Sequence, residues 1–134
     1  MDFLKTLNDA CRFLKIRAGE IKTDVRNYKL RLPDGGVLAI ERPLSGDRLY
    51  LSSFVCFLGE TSRFDKLLDT AFSLGFQHGD ACFSASRLTG RVVLFRNLAL
   101  SNISGEQLAY EITRFSKAHQ TWVSAHDQTR RTLN

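Results

Sequence analysis

Ala81-Cys82-Phe83-Ser84-Ala85-Ser86-Arg87-Leu88, then Thr89-Gly90, then Arg91-Val92-Val93-Leu94-Phe95-Arg96, is the stretch whose reading decides the fold. Two runs of strand-like composition flank a dipeptide ending in glycine, the residue that tolerates positive φ in a tight turn, so the spacing predicts a β-hairpin. Beyond Leu98-Ala99-Leu100 comes Ser104-Gly105-Glu106-Gln107. Its Ser and Gln stand at cap and third-helical positions, where each satisfies an orphan backbone donor of the other's residue. A helix is predicted from there. Leu108, Ile112, Phe115 and Trp122, with Ala118 and His119 between them, keep the i, i+3/i+4 rhythm of a helix lying on a sheet.

Upstream, Phe3, Leu4, Leu7, Ala10, Cys11, Leu14 and Ala18 fall within an arc of about 120° at 100° per residue, with Phe13 flanking it. That predicts an amphipathic opening helix to about Ala18, with Gly19 as its stop. Tyr28, Leu30 and Leu32 alternate with Lys29 and Arg31, giving a half-buried strand with one cationic, solvated face. Pro33-Asp34-Gly35-Gly36 turns the chain into a second strand from Val37 to Arg42. Pro43-Leu44-Ser45-Gly46-Asp47 turns it again, into a third strand from Arg48 to about Leu58. Phe54-Val55-Cys56-Phe57-Leu58 is apolar on both faces, the signature of a central strand. Gly59-Glu60-Thr61-Ser62 leads into a short apolar helix carrying Phe64, Leu67, Leu68, Ala71 and Phe72, which Gly75 ends. Phe64, Leu68 and Phe72, at i, i+4 and i+8, form a ridge suited to the domain's own core or to a two-fold contact between subunits. The tail from about residue 127 is polar and expected to fray. The order α-β-β-β-α-β-β-α predicts an α+β sandwich over residues 1–134, one twisted, mostly antiparallel sheet with helices packed on it.

A chain of 134 residues with 43% hydrophobic and 25% charged residues builds one domain with an ordinary core. It needs neither disulfides nor a metal to fold, and Cys11, Cys56 and Cys82 read as buried free thiols of a reducing cytosol. Charge interrupts the N-terminus every few residues, which excludes the apolar core of a signal peptide, and no stretch matches a membrane span. A cytoplasmic protein without membrane insertion is expected. A net charge of +5 leaves an acidic protein, nucleic acid or an anionic surface as possible partners.

Catalytic patterns fail on geometry. His78-Gly79-Asp80-Ala81-Cys82 sets an imidazole, a carboxylate and a thiol side by side, whereas catalytic groups are assembled from separate segments; a turn is the better reading. His119 and His126 are about two helical turns apart, beyond the i, i+4 reach of a metal pair. Asp34-Gly35-Gly36 lacks the lysine and following helix of a phosphate loop. No catalytic residue, cofactor or metal site is expected. Arg12, Lys15, Arg17, Lys22, Arg26, Lys29 and Arg31 make the N-terminal third basic, but Phe3, Phe13 and Tyr28 form no stacking platform, so a nucleic-acid-binding domain ranks below a protein-binding one.

The joint order of these patterns resembles the class I type III secretion chaperones, the family that includes the Tir chaperone. Gly36-Val37-Leu38-Ala39-Ile40 is similar to its second strand; Gly90-Arg91-Val92-Val93-Leu94, Leu98-Ala99-Leu100 and the Leu108 to Trp122 series resemble its strand, Leu-Pro-Leu-type step and closing helix. Ala99 stands where proline is usual, and the basic charge departs from the family's acidic habit. The resemblance implies a non-enzymatic homodimer that keeps the non-globular N-terminal segment of a secreted effector soluble and fit for secretion. It implies a subunit contact through Phe64, Leu67, Leu68, Ala71 and Phe72. For the client surface the expected residues are Phe3, Leu4, Leu7, Cys11 and Leu14 on the first helix and Tyr28, Leu30, Leu32, Leu38 and Ile40 on the neighbouring strands, beside an exposed strand edge open to main-chain pairing. A regulator of secretion that sequesters a protein through the same surface is the alternative.

Overall fold

The computed structural model describes residues 3–16, 21–24, 27–32, 36–43, 47–57, 59, 81–86 and 88–132. In chain order these form α1 (Phe3–Leu14), β1 (Ile21–Asp24), β2 (Asn27–Arg31), β3 (Val37–Glu41), β4 (Arg48–Phe57), β5 (Cys82–Ala85), β6 (Arg91–Ala99) and α2 (Gly105–Thr132). The strands make one six-stranded sheet in the order β1-β2-β3-β4-β6-β5, and every neighbouring pair is antiparallel. The architecture is the expected α+β, and β4 is central. The short helix read between the third and fourth predicted strands lies outside the described residues.

One face of the sheet carries the core. Alternation along β2, β3, β4 and β6 turns Leu30, Leu38, Ile40, Leu49, Leu51, Val92, Leu94 and Leu98 inward, where they meet Phe3, Leu7, Ala10 and Cys11 of α1 and Leu108, Ile112 and Phe115 of α2. Each fully buried Leu, Ile or Phe adds roughly 1.5–3 kcal/mol of hydrophobic stabilisation. The two helices touch closely: a Cβ on Gly105 would sit 2.5 Å from the Asp9 Cβ and 3.1 Å from the Ala10 nitrogen. Only glycine lets the start of α2 lie on the middle of α1. An ion pair crosses the inner face, Arg96 of β6 to Glu111 of α2, with both side chains largely buried.

The predicted cap of the closing helix is present in full. The Ser104 amide donates to the Gln107 Oε1 at 3.0 Å, and the Gln107 amide donates to the Ser104 Oγ at 3.1 Å. At 28 residues, α2 runs about 42 Å at 1.5 Å per residue. Trp122 meets the Phe83 ring edge-on at 4.8 Å, fixing β5 beneath the helix.

Four local features differ from the sequence reading. A sixth strand, β1, hydrogen-bonds along the outer side of β2 from Ile21↔Leu30 to Asp24↔Asn27. Its sequence Ile-Lys-Thr-Asp has one large apolar residue, so main-chain pairing creates this strand without a hydrophobic pattern. The opening helix ends at Leu14 and not near Ala18. There the Ile16 amide donates to the Cys11 carbonyl at 2.9 Å and the Lys15 amide to the Arg12 carbonyl at 3.2 Å, with Lys15 at φ 59°. That is a Schellman closure in which burial of Ile16 against Cys11 compensates for a left-handed lysine. The hairpin loop is longer than Thr89-Gly90: the Ser86 amide bonds the Arg91 carbonyl and the Gly90 amide bonds the Ser86 carbonyl, with Gly90 at φ 71°. Finally, Leu98 and Ala99 belong to β6, paired with Leu49 and Arg48, where a step after the strand was expected.

Candidate partner-binding site

The residues expected to meet a client are brought together, but mostly in the interior. Phe3, Leu7, Cys11, Leu30, Leu32, Leu38 and Ile40 belong to the core cluster, each with 7% or less of its surface exposed. Leu7 has no exposed surface, so a substitution there reports on stability and not on capture. Leu14 and Tyr28 are half-buried at the margin of that core, and Leu4 is 46% exposed. The accessible remainder of these residues, Leu4, Leu14 and Tyr28, is the candidate client seam. Phe13, 59% exposed on α1, extends the apolar surface of this helix; its offset from the apolar arc is the signal that marks it in the sequence.

At Tyr28 the seam borders β1, whose Thr23 is the cross-strand partner of Tyr28. The Tyr28 ring lies 5.2 Å from the Phe3 ring, and the Arg42 guanidinium sits over the Phe3 ring at 5.4 Å from its centroid. On the side of β2 away from the helices, Lys29 and Arg31 alternate with buried Leu30. Among the described strands β1 ends the sheet, with β2 as its one strand neighbour.

A second apolar region lies on the sheet face opposite the helices. Tyr50 and Phe95 pack at 5.4 Å, and Phe54 and Phe57 at 5.0 Å, with the Arg91 guanidinium 4.8 Å over the Phe54 ring. A register shift between Phe54 and Cys56 turns residues three apart in sequence to the same side. The continuous apolar run that marks β4 as central hides this bulge in the sequence. His119 of α2 reaches across to the Phe54 carbonyl at the bulge, which places this imidazole in a structural contact. The His126 side chain lies outside the description, as do Phe64, Leu67, Leu68, Ala71 and Phe72 and the segment His78-Gly79-Asp80.

Nucleophilic chemistry at Cys82 finds no support. Burial pushes the Cys82 and Cys11 thiols above the ordinary thiol range, favouring the unreactive neutral form. Cys11, Cys56 and Cys82 are unbridged, and no group of three potential metal ligands occurs among the described residues. A cleft of about 530 Å³ where β6 meets α2 is lined by Leu98, Ile103, Gln107, Tyr110 and Glu111. Its one charged side chain, Glu111, is already paired with Arg96. Among the described residues no helix is long and apolar enough to cross a membrane.

No protein-family model and no curated protein matches this chain. Solved structures do. A chain of the HopA1–SchA chaperone–effector complex superposes with a TM-score of 0.72 at 12% identity, covering 91% of this chain and 93% of its own. The ExsC–ExsE complex gives 0.68 at 17% identity, over 92% and 96%. The Yersinia pestis type III secretion chaperone SycH, in complex with a stable fragment of YscM2, gives 0.60 at 19% identity, over 88% and 97%. Coverage this complete on both sides leaves no large element unmatched, and the chain has the fold of the type III secretion chaperones.

Proposed function

We propose that this protein is a non-enzymatic, cytosolic chaperone that binds the N-terminal, non-globular segment of a type III secretion effector and keeps it soluble and secretion-competent. The observation that carries the reading is the end-to-end match of the fold to chains from the HopA1–SchA chaperone–effector complex and the SycH–YscM2 complex. Among the described strands β1 ends the sheet, and Leu4 is exposed on α1; both support the reading, because strand addition gives general affinity while apolar neighbours select side chains. Ordering such a segment opposes several kcal/mol of lost entropy, which burial of roughly 1,000–3,000 Å² offsets.

The working unit of the proposal is a homodimer joined through Phe64, Leu67, Leu68, Ala71 and Phe72. Phe54 and Phe57 are the last residues of β4 on the outer face before that segment, which extends the same apolar character onto the sheet. Leu68→Glu is expected to give a monomer by light scattering; an unchanged dimer removes this segment from the contact.

The deciding experiment is affinity capture with the tagged protein from the bacterium that encodes it, read by mass spectrometry. A secreted effector, bound through its N-terminal region and released intact, is the expected result. Capture of a transcriptional activator or anti-activator alone would convert the reading to a secretion regulator. Salt-sensitive DNA or RNA binding with no protein client would contradict both.

A further inference from the structure

Resting on the chaperone reading, the charge around the client seam narrows the client's chemistry. Among the described side chains of α1, β2, β3 and the residues that flank them, six are cationic: Lys5, Arg12, Lys15, Lys29, Arg31 and Arg42. Two are acidic, Asp9 and Glu41, and Asp9 lies 3.5 Å from Arg12 in the same helix. All but Arg42 of the six are exposed. Their placement matters more than their number. Lys5, Arg12 and Lys15 lie on the solvent side of α1, on one face of the sheet; Lys29 and Arg31 point from the other face of β2, and Arg42 sits against Phe3 between them. The cations thus stand on both sides of the β1–β2 end of the sheet, where Tyr28 packs on Phe3, and Leu4 is exposed on the next residue of α1.

We propose that the segment held on this edge is acidic as well as apolar, carrying Asp or Glu beside its apolar anchors so that carboxylates meet the Lys29–Arg31 face and the α1 face together. A net-basic segment would bring like charges against this surface, which costs affinity and slows encounter. A nucleic acid would satisfy the cations but leave Leu4 without an apolar partner. A second copy of the chain would set cations against cations.

The test uses the full chain and the client segment obtained by capture, measured by calorimetry and stopped-flow fluorescence. With the wild-type chain, affinity is expected to fall at least ~10-fold between about 50 and 500 mM NaCl, as exposed charges are screened. The double variant Lys29→Glu/Arg31→Glu, checked as folded by circular dichroism, is expected to bind at least ~10-fold more weakly, mainly through a slower on-rate. Lys29→Gln/Arg31→Gln should fall between the two. Salt-insensitive binding, unchanged or tighter binding by the Glu variant, or a captured segment of net positive charge overturns the acidic-client proposal and leaves the chaperone reading standing. Failure to capture any client removes both. Saturable binding of a DNA oligonucleotide by the wild-type chain, lost in the Glu variant, reassigns the cations to nucleic acid.

Discussion

The two faces of the sheet are built from the same strands and obey opposite rules. On the inner face Leu30 of β2 and the large apolar residues of β3, β4 and β6 are buried, Tyr28 is half-buried at the margin, and Arg96 and Glu111, the ionic pair described there, face each other. On the outer face Val37, Phe54 and Phe57 stay substantially exposed, with Lys29, Arg31, Arg48 and Arg91 around them. The inner face carries the buried core, and the outer face keeps large apolar side chains accessible. Apolar residues on the same strands thus serve the core on one side and, in the proposed function, partner contact on the other.

The sharpest way to break that distinction is one matched pair of substitutions. Ile112→Asp puts a carboxylate at a site with no exposed surface and is expected to abolish cooperative folding, a loss above about 4 kcal/mol. Phe54→Asp, at a site 37% exposed and beside Arg91, is expected to cost under about 1 kcal/mol. Urea unfolding followed by circular dichroism measures both, and comparable losses would mean the outer face is core. Next in size, Gly105→Ala drives a methyl group into Asp9 and Ala10, and overpacking of this kind costs about 1–3 kcal/mol. A neutral result would show that α1 slides freely on α2. The smallest effect has the opposite sign. Lys15→Gly relieves a left-handed lysine at the end of α1 and is expected to raise stability by about 0.5–1 kcal/mol, read as a higher denaturant midpoint.

Much of this architecture is legible in the residues because local chemistry and tertiary packing agree. Ser104 and Gln107 announce the start of α2, and the Leu108, Ile112, Phe115 series announces its buried face. Disagreement begins where one overrides the other. Ile21-Lys22-Thr23-Asp24 carries no strand pattern, because its order comes from the hydrogen-bonding edge of β2. Lys15 is no helix breaker by propensity, yet α1 stops there because Ile16 gains a place in the core. The proposed client surface is obscured in the sequence for a related reason. Periodicity shows that Phe3, Leu7, Leu30, Leu38 and Ile40 share an apolar side, but not that the chain's own helices and strands cover it. What remains accessible is at the margin, in Leu4, Leu14 and Tyr28, with Phe13 beyond the apolar arc.

Hydrogen–deuterium exchange of the protein with and without its captured client segment tests the central claim most directly. The account predicts new protection in α1 and along the β1–β2 edge, with the amides of α2 unchanged. Protection confined to β5, β6 or α2, or no change on binding, would contradict it.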